Sequence, residues 1–119
     1  MRFVIIGGGP AGLNAATHAA RLGAEVALVE RDVMGGAANL WDCIPSKAMI
    51  ATGGVIGVTR RGHALGLTCA SATLDLPAVA ERIAVISGHL ERSVTDLLTS
   101  QEVRVVRGRA TLKDRKSVV

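Results

Sequence analysis

The chain has 119 residues, 49% of them hydrophobic, with 14 glycines, 3 prolines and a formal net charge of +4. That length holds one domain, or part of one, and excludes a multidomain enzyme within these residues; the apolar content excludes an unstructured tail. The 14 Lys and Arg residues are spread along the chain, and with Phe3 and Trp41 as its aromatics none is interleaved with them, so the charge reads as a solvated surface that attracts anionic cofactors, with no nucleic-acid partner.

The first element is a short apolar run, Arg2 to Ile6, that meets glycine abruptly, the pattern of a buried parallel strand. Gly7-Gly8-Gly9-Pro10-Ala11-Gly12 follows, then an Ala-rich helix to Leu22 that Gly23 stops, and Glu25 to Glu30 makes a second strand. Strand, turn, helix and strand within about thirty residues form a right-handed parallel crossover unit. Gly7, Gly9 and Gly12 satisfy Gly-x-Gly-x-x-Gly at the strand-to-helix turn. Gly7 permits the tight turn, Gly9 lets backbone amides approach a pyrophosphate at the positive helix end, and Gly12 brings helix against strand. Glu30 lies eighteen positions beyond Gly12, where a carboxylate accepts from both ribose hydroxyls of an adenosine and repels a 2′-phosphate. The bland alternative, a glycine-rich turn with no ligand, is disfavoured by this context, but the turn by itself leaves FAD and NAD both open.

The next segment, Met34-Gly-Gly-Ala-Ala-Asn-Leu-Trp-Asp-Cys-Ile-Pro-Ser-Lys47, resembles the active-site segment of the flavoprotein disulfide reductases, whose pattern is Gly-Gly-x-Cys-x4-Cys-x-Pro-Ser-Lys. Gly35, Gly36, Cys43, Pro45, Ser46 and Lys47 match, whereas Ala38 stands where the first cysteine belongs, so the redox disulfide cannot form. Within that family the chain is most similar to NAD(P)H:quinone reductase-like members that lack the first redox cysteine. The resemblance implies a Rossmann-like α/β FAD-binding domain, a parallel sheet with helices and a β-hairpin or meander, of which residues 1–119 are the N-terminal part. It implies FAD held by Gly7, Gly9, Pro10, Ala11, Gly12, Glu30, Arg31, Gly35, Gly36, Ala37, Ala38, Cys43, Lys47, Gly108 and Ala110. It further implies NAD(P)H as electron donor, a quinone-like acceptor served without a dithiol relay, and a homodimer. Cys43 and Lys47 take the catalytic roles, the thiol against the flavin ring and the ammonium near its reactive nitrogen.

The residues support part of this independently. Pro45 suits an early helical position and puts Cys43 beside a helix N-terminus, with Lys47 one turn on; both favour a thiolate, and Asp42 opposes it, so the sign stays open. An inert buried thiol is the competing reading for Cys43, plain surface charge for Lys47, and ordinary packing for Trp41, which otherwise shapes the pocket. Cys69 reads as a small apolar filler in a connecting loop rather than a partner of Cys43. His18, His63 and His89 form no ligand spacing with the cysteines, so no metal is expected.

The helix from about Pro45 should fray or bend at Gly53-Gly-Val-Ile-Gly57, and Arg60 to Gly66 reads as a solvated loop. Val79, Ile83, Ile86, Leu90, Val94 and Leu97 then follow helical spacing from Asp75 and Pro77 to about Ser100. Glu102 to Arg107 is a strand, Gly108-Arg-Ala110 matches the family segment whose backbone contacts adenine, and Thr111 to Val119 reads as a strand, a turn and a returning strand. A strand left unpaired at the terminus marks a fragment of a longer protein that binds FAD weakly alone. The family places the remainder of the FAD domain, the NAD(P)H domain and the dimerisation domain further on. No second glycine-rich turn supplies a nicotinamide site here. Two cysteines without a signal peptide fit a reducing cytoplasm, and no apolar run nears the ~20 residues of a membrane span. The alternatives are a dithiol-active dihydrolipoamide dehydrogenase, which would need two exchangeable sulfurs, and a catalytically silent nucleotide-binding protein.

Overall fold

A computed structural model describes residues 1–68 and 72–113. Its elements run β1 (Arg2–Ile6), α1 (Pro10–Arg21), β2 (Glu25–Glu30), α2 (Ala37–Leu40), α3 (Cys43–Arg61), a 3-10 turn (Gly62–Leu65), α4 (Leu76–Ser100) and β3 (Arg104–Arg107). The three strands form one parallel sheet in the order β1-β2-β3, with Ile5 opposite Leu28 and Leu28 opposite Val105. This is the α/β crossover arrangement expected from the apolar runs at Arg2 to Ile6 and Glu25 to Glu30.

Alternation along the strands decides what is buried. Val26, Leu28, Ile5 and Val105 share the sheet face toward the helices, where they pack with Ala16 and Leu13 of α1, Leu98 and Val94 of α4, Met34 and Val103. Ala16, Leu28, Met34 and Leu98 are fully buried. The opposite face carries Val4, Ile6, Ala27, Val29 and Val106. Val4 and Ile6 are 46% and 53% exposed. The radius of gyration is 20.2 Å, against roughly 14 Å for a compact chain of this size, so the molecule is elongated.

α1 begins with Pro10 in the first turn, where a missing N–H costs nothing, and ends at Gly23, whose φ of +78° returns the chain to β2. α4 is capped by Asp75, whose carboxylate accepts from the Ala78 amide at 3.0 Å, and Gly88 does not interrupt its 25 residues.

Several elements differ from the sequence reading. α3 starts at Cys43, two residues ahead of Pro45, and continues through Gly53, Gly54 and Gly57 to Arg61 as one unbroken helix. Glycine costs about 1 kcal/mol of helix propensity, and with no proline in α3 after Pro45 every later amide of the helix can still donate, so packing of α3 along α4 prevails. Arg60 to Gly66 is helix end and 3-10 turn rather than loop; Gly66 at φ +75° closes it with amide bonds from Gly66 and Leu67 to the carbonyls of His63 and Gly62. β3 begins at Arg104, because Glu102 turns at φ +60° and the Val103 amide caps α4 by donating to the Leu98 carbonyl. The four-residue α2 was not foreseen. Thr111 to Lys113 form no strand. The expected turn and returning strand at 114–119, and Cys69, lie outside the described residues.

Candidate functional site

A cleft of about 460 Å³ opens at the C-terminal ends of the parallel strands, lined by Ile6, Gly7 and Gly9 after β1, Val29 to Asp32 after β2, Gly108 to Ala110 after β3, and Gly36, Ala37, Leu40 and Trp41. Ligands of open parallel sheets bind in this place, because the connections there splay apart and helix N-termini point in. The amino end of α1 faces it: Gly9 is the N-cap, with no side chain bonding the first amides, and its carbonyl receives the Leu13 amide at 2.9 Å. Donors and partial positive charge are therefore free for an anion.

The glycines do separate jobs. Gly7 has φ +102°, a backbone that L side chains resist, and its amide donates to the Val29 carbonyl at 2.8 Å. A Cβ on Gly12 would stand 1.8 Å from the Gly7 carbonyl oxygen, so helix and turn touch only because that atom is absent. A Cβ on Gly9 would meet nothing within 4 Å, so the bare backbone here serves space in the cleft rather than packing. Gly36 combines φ +60° and ψ −150° with a Cβ position 2.9 Å from Gly9 Cα, and the Gly35 amide donates to the Gly8 carbonyl at 2.8 Å. The Gly35-Gly36 segment is thus folded onto the glycine turn, joining two motifs that are far apart in sequence.

Glu30 is 7% exposed. Its Oε2 accepts from the Gly8 amide at 2.6 Å and its Oε1 from the Asp32 amide at 2.8 Å. Burial pushes its carboxyl up, but the amides of Asp32, Gly8 and Arg31 and the Arg31 guanidinium together outweigh burial and hold it below the usual carboxylate range. It stays an anion that braces the glycine turn, and a carboxylate's remaining lone pairs are available to a ligand. Arg31 and Arg109 add cations to the same rim.

Of the residues expected to hold cofactor, Gly7, Gly9, Glu30, Arg31, Gly36, Ala37, Gly108 and Ala110 come together in the cleft wall. Pro10 and Ala11 stand exposed on the first turn of α1, and Gly12 serves its packing. Gly35 and half-buried Ala38 lie beside the wall without lining it. Cys43 and Lys47 are both exposed on the first turns of α3, one helical turn apart. The reading of Cys43 as a buried thiol is therefore corrected: the residue is exposed. Trp41 is 75% exposed and lines the cleft.

Sequence reasoning passed over Gly8, where a Cβ would lie 2.5 Å from Met34 Sδ, and the buried Met34 beneath it. The middle glycine in a run of three was the available signal. It also passed over Asn39, buried, whose Nδ2 donates to the Met34 and Ser87 carbonyls at 3.3 and 3.1 Å and so ties α2 to α4. Nothing in the local pattern marks that role. Among the described residues no group of three His, Cys, Asp or Glu is placed to hold a metal ion, and no helix is long and apolar enough to cross a membrane.

Comparison with known proteins agrees with this geometry. The model of the pyridine nucleotide-disulphide oxidoreductase family matches residues 1–119. The chain is 35% identical over 114 residues to a dihydrolipoyl dehydrogenase of Chlorobaculum parvum, covering 96% of this chain and 24% of that protein. It is 39% identical over 118 residues to an NAD(P)H dehydrogenase (quinone) of Mycobacterium tuberculosis, covering 95% and 24%. The crystal structure of LpdA from Mycobacterium tuberculosis superposes with a TM-score of 0.87 at 37% identity, over 97% of this chain and 25% of that one. The chain thus spans about a quarter of the length of the relatives it matches.

Proposed function

Because the chain belongs to the pyridine nucleotide-disulphide oxidoreductase family, we propose that it is the FAD-binding part of an NAD(P)H-dependent flavoprotein reductase that passes electrons to a quinone-like acceptor without a redox disulfide. The observation that carries this reading is the pairing of a cleft faced by the uncapped amino end of α1 with a following segment that holds one thiol, Cys43, where two would be needed for a dithiol relay. The residues fit the cofactor: at Gly9 a Cβ would enter open space, α1 offers uncapped amides, and Glu30 and Arg31 stand at the rim.

On this reading the α1 amides beyond Gly9 and the Arg31 and Arg109 guanidinium groups bind the diphosphate, and Glu30 accepts from the ribose hydroxyls. Gly108 to Ala110 present backbone to the adenine, while Gly36, Ala37 and Trp41 wall the approach toward the isoalloxazine. FAD, when bound, supplies two-electron acceptance from a nicotinamide and release to an acceptor. Lys47 places a cation where negative charge gathers, and Cys43 contributes a thiol that cannot exchange with position 38. The nicotinamide and dimerisation domains belong to the rest of the intact protein, a cytoplasmic homodimer. The names of the relatives support both quinone and lipoamide as substrates of the family, and Ala38 favours the first.

Steady-state assays of the intact protein with NADH or NADPH test this, using a soluble naphthoquinone in one arm and lipoamide in the other. Quinone turnover at a kcat/KM more than about 100-fold above that for lipoamide is expected. Comparable lipoamide turnover would overturn the choice of acceptor, and a colourless intact protein that takes up no FAD would overturn the flavoprotein reading itself.

A further inference from the structure

One charged network touches the cleft from outside it. The Arg107 guanidinium, at the end of β3, donates through Nη1 to the Asp32 carbonyl at 2.6 Å and through Nη2 to Glu91 Oε1 at 2.6 Å. The same Glu91 oxygen, on α4, accepts from the Met34 amide at 3.3 Å. Three segments remote in sequence, the loop after β2, the end of β3 and the middle of α4, therefore meet on two side chains. A solvent-exposed ion pair by itself contributes little, and these side chains are 49% and 26% exposed. Here, however, the planar fork divides its donors between a carboxylate and a main-chain carbonyl, which fixes backbone as well as charge.

The two halves of the cleft wall are anchored differently. On the glycine-turn side, Met34 is fully buried, the Gly35 amide is bonded to Gly8, and Gly36 lies against Gly9. On the other side the rim residues Arg31 and Asp32 are exposed; their amides reach back to the neighbouring Glu30, and the contact that ties this rim to a remote element is the Arg107 bond to the Asp32 carbonyl. Arg107 also immediately precedes Gly108, whose amide donates to the Glu30 carbonyl at 2.9 Å and which opens the facing rim. From this asymmetry we infer that Arg107, seated on Glu91, is a positioning residue for the adenosine end of the cleft. It sets the spacing between the Arg31–Asp32 rim and the Gly108–Ala110 rim, and so the affinity for the ADP half of the dinucleotide, while leaving the flavin half untouched. The inference rests on the FAD reading above.

Isothermal titration of the flavin-stripped intact protein with FAD, ADP and FMN separately is the test. R107A should weaken FAD and ADP about tenfold each, equivalent to about 1.4 kcal/mol, and leave both the FMN affinity and the absorption spectrum of bound FAD unchanged. E91A should weaken FAD and ADP at least as much, since it removes the acceptor of the Met34 amide as well as the seat of Arg107, with the double variant no worse than E91A alone because the two side chains act through one network. R107K keeps the charge but loses the fork, and serves as a milder second variant should R107A fold poorly; it should fall between wild type and R107A. Unchanged FAD and ADP affinities in R107A, or in R107K if only that folds, overturn the inference, as does equal weakening of FMN, which would show general loosening of the fold. Wild-type protein that binds none of the three would instead defeat the FAD reading, so the two failures are separable.

Discussion

Gly9 and Gly12 are three residues apart on the same turn, yet the structure assigns them opposite consequences when each is replaced by alanine. At Gly12 the new Cβ would lie 1.8 Å from the Gly7 carbonyl oxygen and 3.0 Å from its carbon, both backbone atoms that no rotamer change can move. Relief requires separating α1 from the β1 turn, which disturbs the packing of Leu13 and Ala16 on Ile5 and Leu28. Overpacking of this kind costs about 3 kcal/mol, a large share of the roughly 5–15 kcal/mol a domain holds, and should lower Tm by roughly 10–20 °C. At Gly9, φ −73° and ψ −179° are open to any L residue and the Cβ meets nothing within 4 Å, so Tm should move by less than about 2 °C. That methyl stands in the cleft, however, and displacing a diphosphate oxygen from even one helix amide forfeits a charged hydrogen bond, weakening FAD roughly 10- to 100-fold. Differential scanning calorimetry beside FAD titration separates the two effects. A G9A protein that binds FAD as tightly as wild type would refute placement of the diphosphate at this turn, and an undiminished Tm for G12A would refute the close-approach argument.

Glu30 should give a signed pH dependence. Its carboxyl is held below the usual range, so its stabilisation is fully present above the unfolded-state value of about 4.5 and is lost as pH falls through the lower folded value. Urea denaturation between pH 7 and pH 3 should show that loss in wild type and not in E30Q, which should be less stable by about 1–3 kcal/mol at pH 7 because its NH2 group faces a backbone amide; an identical pH slope in both would contradict the assignment. Trp41 is the single tryptophan of a chain without tyrosine and lines the cleft, so bound FAD should quench the emission of the chain when it carries no other tryptophan, and unaltered emission at saturating FAD would place the ligand elsewhere. Cys43 is exposed, and A38C in the intact protein should acquire lipoamide turnover because it returns the second exchangeable sulfur; an A38C protein still inactive toward lipoamide would show that the residue at position 38 does not set the acceptor.

Much of the site was readable because it depends on residue types that admit few conformations. Gly7 at positive φ, Gly12 in contact with backbone, the apolar strand before them and the acid at the end of β2 are local requirements, and local requirements leave marks at fixed spacing. The continuation of α3 through three glycines was not readable, because propensity argues for an early end and only α4 alongside argues for continuation. The position of Glu30 points to a ligand group, but that its carboxylate also accepts from the amides of Gly8 and Asp32 is a use no spacing rule signals.

By itself, then, the chain's order of residues determined the crossover unit, the glycine turn at the head of α1, the acid at its rim and the single thiol of the segment that follows. These follow from backbone sterics, helix charge and atom inventory, which act over a few residues. Only the tertiary structure decided that Gly36 seats against Gly9, that Met34 fills the space under Gly8, and that Arg107 and Glu91 reach the Asp32–Met34 loop. Those contacts join residues up to 75 positions apart, and their energies exist only after the sheet and α4 have brought the partners within hydrogen-bond and van der Waals distance.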